Sequence, residues 1–133
     1  MNTKRQFTRL LVAAALFSVA GGAALAQSGA LDGKRFEGLF IERGKTSGDA
    51  DTIVFKDGHF RSSACDRYGY SDAAYKTTAV GDAIAFEGET ESAKYGRLAW
   101  KGMIRNGKLD ATATMLRQGK PPVEHWVVGV VKP

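Results

Sequence analysis

Three two-residue turn signals, Asp57-Gly58, Gly81-Asp82 and Asn106-Gly107, constrain what this chain can fold into more than any other feature. They lie about 25 residues apart, and each is flanked by alternating apolar and polar positions, as in hairpins closed by type I′ or II′ turns. Such a turn fixes register, so each predicts its own cross-strand partners. Around Asn106-Gly107, Ile104 faces Leu109, Gly102 faces Ala111, Trp100 faces Ala113 and Leu98 faces Met115, with Arg105, Lys101 and Arg97 on the other face. Around Gly81-Asp82, Ile84 and Phe86 share a face with Ala79, Thr77 and Tyr75, and Glu87 falls opposite Lys76 as a charge pair. Around Asp57-Gly58, Phe55 faces Phe60 and Ile53 faces Ser62, while Lys56 and His59 point outward.

Two more strands, Arg35 to Glu42 and Val123 to Lys132, complete a set of eight. The last has two possible facings: Trp126 and Val128 inward, or His125, Val127 and Val131 inward. No segment after the N-terminal region has helical periodicity. Eight sequential antiparallel strands with one-sided hydrophobicity close as an up-and-down barrel or stack as a two-sheet sandwich. A meander of tight hairpins favours the barrel, because pairing the last strand with the first removes both exposed edges. The expected fold is therefore an all-β, eight-stranded antiparallel up-and-down β-barrel.

The N-terminal region reads as an address. Met1 to Arg9 carries three positive charges and no acid, Leu10 to Ala20 is almost unbroken apolar sequence, and Ala24-Leu25-Ala26 ends in a small-x-small cleavage pattern. Residues 1–26 are expected to be a secretory signal peptide, and 27–133 a single small barrel domain exported to the periplasm or secreted. The apolar run is about half the ~20 residues a bilayer span needs, so no stable membrane insertion is expected after processing. Removing Lys4, Arg5 and Arg9 from the 19 cations leaves 16 against 14 acids, and the formal +5 falls to +2. That balance, without a Lys/Arg block, leaves no footprint for nucleic acid. Cys65 is the one cysteine. A buried, inert thiol and a monomer are expected, although the register around Asp57-Gly58 places Cys65 outward unless the strand is interrupted.

Strand order and length, with Phe36-Glu37-Gly38 opening the first strand and Trp100-Lys101-Gly102 in the sixth, resemble the small calycin-type barrels, the avidins and lipocalins. The chain is also similar to small exported proteins of unknown function that carry a Phe-x-Asp-Gly-x-Phe turn, here Phe55 to Phe60. The resemblance covers residues 27–133 at the level of architecture and implies a ligand-binding barrel. It carries over no binding residue, because neither the biotin-contacting set nor the lipocalin Gly-x-Trp signature is present.

All three tight turns join strands at one end, so the longer connections collect at the other: Arg43 to Ala50, Asp66 to Ala74, Glu89 to Lys94 and Gln118 to Pro122. Loops on a rigid scaffold are where binding residues concentrate. The segment Cys65 to Asp72 offers Arg67, Tyr68 and Tyr70 as a contact loop, or as a plug over the core. With Tyr75, Tyr95 and Trp100 these form the candidate ligand-binding set. Ser62, Thr77, Gly102 and Ala111 leave interior room, which Phe86 and Trp100 are large enough to fill. No catalytic constellation is visible. His59 and His125 lack metal-type companions, Ser62-Ser63-Ala64-Cys65 is not a nucleophile elbow, and Asp49 and Asp51 resemble a calcium loop only superficially. The expectation is a non-enzymatic exported barrel without cofactor or metal, binding a small partly apolar ligand at its mouth or, alternatively, a protein partner through its mouth loops.

Overall fold

The computed structural model describes residues 29–133, and the expected signal peptide and its cleavage site lie outside the described residues. Eight strands run in sequence: β1 Arg35–Glu42, β2 Asp49–Lys56, β3 His59–Ser62, β4 Ala73–Val80, β5 Ala83–Ser92, β6 Gly96–Arg105, β7 Lys108–Leu116 and β8 Val123–Lys132. Each pairs antiparallel with its neighbour in the chain, and β8 closes on β1. Closure leaves no edge strand to protect.

The hairpin registers follow from turn chemistry. Asp57 and Gly58 both have positive φ (52° and 74°), as do Asn106 and Gly107 (51° and 72°), the signature of type I′ turns. In Gly81-Asp82 only the glycine does (60°), as a type II′ turn requires. Phe55 accordingly pairs with Phe60, Thr77 with Phe86, and Trp100 with Ala113. Glu87 sits opposite Lys76 on one side and Lys101 on the other, but forms no ion pair within 4.0 Å among the described residues.

The facing of β8 is set by its ladder with β7, which places Val127 opposite Ala111 and His125 opposite Ala113, both inward residues. Gly38 of β1 pairs with Gly129, and a Cβ on Gly38 would lie 1.8 Å from the Val128 carbonyl oxygen. His125 and Val127 point inward, and Trp126 and Val128 stand outside at 45% and 40% exposure. Val131 shares their inward parity but lies past the end of the core and is exposed.

The lower interior is filled. Phe36, Phe55, Phe60, Tyr75, Phe86 and Trp100 are all buried, with ring centroids 4.9 Å apart for Phe55 and Tyr75 and 5.3 Å for Phe55 and Phe86. A Cβ on Gly88 would meet the Phe60 ring at 2.5 Å, and one on Gly102 the Phe86 ring at 2.4 Å. The phenyl rings occupy the space that those two missing side chains leave in the barrel wall.

A second plug lies at the tight-turn end. Gly29 to Lys34 folds under the barrel and inserts Leu31, which is fully buried. The Leu31 amide donates to the Tyr75 hydroxyl at 2.9 Å, that hydroxyl donates to the Asp32 carboxylate at 2.6 Å, and Asp32 accepts the Gly58 amide at 3.0 Å. Burial, reinforced by the Asp32 carboxylate, pushes the Tyr75 phenol up to about 12, so it stays a donor. With this end sealed, the barrel interior opens at the other end.

Candidate functional site

At the loop-rich end the barrel holds a pocket of about 530 Å³, within the range of small-molecule sites. Strand alternation supplies its walls: Phe40 and Glu42 from β1, Leu98 from β6, Met115 from β7, Val123 and His125 from β8. Cys65, Tyr68 and Tyr70 reach it from the connection between β3 and β4, and Tyr95 from the turn between β5 and β6.

That β3–β4 connection contains a feature the periodicity did not predict, a 3-10 helix over Ser63–Tyr68. Asp51, on the inward face of β2 and 3% exposed, organises its start. Its carboxylate accepts from the Ser62 hydroxyl at 2.8 Å and the Ala64 amide at 3.1 Å. Ser63 Oγ accepts the Thr52 amide at 2.8 Å. Burial pushes the Asp51 carboxyl above its ordinary value, with these donors pulling the other way. A carboxylate at the inward parity of Ile53 and Phe55, opposite two serines, is the sequence signal for this cap.

Because β3 ends at Ser62, strand parity no longer governs Cys65. The hairpin register is right, and the thiol is nonetheless buried at 4% exposure. Cys65 Sγ lies 3.4 Å from Ser62 Oγ, the hydroxyl that also donates to Asp51. Burial pushes this thiol up to about 12, which keeps it protonated and unreactive.

His125 is 8% exposed, and its ring lies 4.7 Å from that of Phe40. Nδ1 is 3.2 Å from the Ala113 carbonyl oxygen, a geometry that assigns the proton to Nδ1. Burial holds the imidazole below its ordinary value of 6.5. Nε2 then carries a lone pair with no protein donor among the described residues, and the ring lines the pocket. Two acids on the pocket wall have cationic partners: Glu42 pairs with Lys45 at 2.7 Å, and Asp49 with Arg67. Arg117, half-buried on the same wall, has no carboxylate within 4.0 Å among the described residues.

The structure divides the six expected site residues between two levels. Tyr68, Tyr70 and Tyr95 line the pocket, with Tyr68 edge-on to Tyr95 at 5.4 Å and the Tyr70 hydroxyl 3.5 Å from the Tyr95 carbonyl oxygen. Arg67 stands beside them, turned to Asp49 and placed over the Tyr68 ring at 5.1 Å. Trp100 lies in the aromatic core, where its Nε1–H donates to Thr90 Oγ1 at 3.0 Å, and Tyr75 is at the sealed end. Neither lines the pocket. Phe40, Leu98, Met115, Arg117 and His125 were not singled out as site residues by sequence, because each reads locally as an ordinary strand or loop residue. The expected connection from Glu89 is also shorter, since β5 continues to Ser92.

The class this geometry defines is a closed eight-stranded antiparallel barrel, sealed at one end and open at the other, an architecture consistent with the calycin-type barrels. No protein-family model, curated protein or solved structure matches the chain.

Proposed function

We propose that this is an exported, non-enzymatic barrel that binds one small, partly apolar ligand in the mouth pocket. The observation that carries the reading is the pocket of about 530 Å³ left open above a filled aromatic core, with Phe40, Leu98 and Met115 beside the rings of Tyr68, Tyr70 and Tyr95. Such a site combines apolar area with a few fixed polar groups, which is what orients a small ligand. Burial pushes the thiol of Cys65, which lines the pocket, up to about 12, and this supports the non-enzymatic reading.

Native mass spectrometry of protein recovered from its own compartment tests the reading. The expected result is a mass above that of the processed chain, weakened in Met115→Trp, which narrows the pocket beside Leu98. Bare mass together with no thermal shift across a broad ligand panel overturns it. A second reading, a protein-binding module that inserts the β3–β4 connection into a partner, draws on Tyr68, which is 40% exposed beside Arg67. A stoichiometric partner lost in Tyr68→Ala, with ligand binding intact, favours that reading instead.

A further inference from the structure

Resting on the ligand-binding reading, we infer that the ligand is an amphiphile with a single acidic head group, its head against Arg117 and its apolar body among Phe40, Leu98 and Met115. Charge pairing around the pocket supplies the first argument. Glu42 is neutralised by Lys45 and Asp49 by Arg67, so Arg117 is the one uncompensated charge on the wall among the described residues. A guanidinium partly removed from water and lacking a carboxylate is a strong site for an oxyanion, which it can grip through two parallel N–H bonds.

The second argument is the separation of polarity along the pocket. Arg117 follows β7 directly, in the connection at the rim, whereas Leu98 and Met115 are a cross-strand pair on the inward faces of β6 and β7. Phe40 and His125 stack beside them. Of these, His125 alone brings a polar side-chain atom to that level, and its neutral imidazole adds no charge there. An acid with a purely polar body would leave the Phe40, Leu98 and Met115 surfaces unmatched, and a neutral hydrocarbon would leave Arg117 unpaired on closing over it. A cationic amphiphile would meet Arg117 as a like charge.

Calorimetric titration of the processed protein with decanoate, decanol and decyltrimethylammonium, each below its micelle concentration, tests the inference. These share one tail and differ in head charge. Decanoate is expected to bind at least about tenfold more tightly than decanol, as for one charge-assisted hydrogen bond, and the cation most weakly. Arg117→Gln should remove about that tenfold from decanoate and leave decanol unchanged, while Arg117→Lys restores part of it. Equal affinity for decanoate and decanol in the unaltered protein overturns the acidic-head inference and leaves the pocket reading standing. Failure of all three probes to bind, with no native adduct on the protein, removes the pocket reading and the inference together.

Discussion

At its base and at its mouth the barrel is made from the same eight strands, yet the two ends use their polar groups in opposite ways. At the base, the hydroxyl of Tyr75, the carboxylate of Asp32 and the amides of Leu31 and Gly58 satisfy one another, and Leu31 fills the space between. At the mouth, the guanidinium of Arg117 and Nε2 of His125 have no protein partner among the described residues. Internal satisfaction makes a stable seal. Unused hydrogen-bonding capacity beside apolar wall is what the proposed ligand site rests on.

The contrast is tested first by where stability resides. Trp100→Ala should cost about 3–5 kcal/mol, as a large-to-small change in a filled core that also leaves Thr90 Oγ1 without the indole donor. Its outward neighbour Lys101 should tolerate Ala within about 0.5 kcal/mol. Urea melts of the two variants decide this, and equal midpoints would break the assignment of inner and outer faces.

A second pair compares the two ends directly. Leu31→Ala should cost about 2–4 kcal/mol, because the plug is fully enclosed and its loss leaves a cavity. Met115→Ala, half-buried against an existing pocket, should cost about 1 kcal/mol, since the space it vacates joins one already open. If the two losses are alike, the base is no better packed than the mouth.

The smallest effect is a pH dependence at the mouth. Folded His125 titrates below 6.5, its ordinary value, so between the two values the unfolded chain binds more protons than the folded one. Stability should therefore fall as pH drops below about 6.5 and stop falling below the folded value. His125→Gln, which keeps a donor for the Ala113 carbonyl, should lose that part of the slope between pH 7.5 and 5.5. An unchanged slope would show that the ring is not desolvated in the pocket wall.

Much of the fold was legible because a two-residue turn and an alternating strand are local signals. Asn106-Gly107 implied the whole Trp100, Gly102 and Ile104 face, and the ladder agrees pair by pair. The site was legible in part. Tyr68, Tyr70 and Tyr95 stood out because aromatic residues in polar connections are unusual, whereas Arg67 and Arg117 are indistinguishable until a neighbour is known. Only in three dimensions does Asp49 claim Arg67, while Arg117 has no carboxylate partner among the described residues.

By itself, then, the sequence determined the strand order, the three hairpin registers and which end would carry the long loops, since each depends on residues a few positions apart. The tertiary structure alone decided the facing of β8, the burial of Cys65 and the plug by Leu31. Each of these depends on contact between segments distant in the chain. For β8, both faces are apolar, so alternation cannot choose between them. Strand pairing chooses, since Val127 and His125 fall opposite the inward Ala111 and Ala113 of β7, and those ladders exist only once β8 meets its two neighbours.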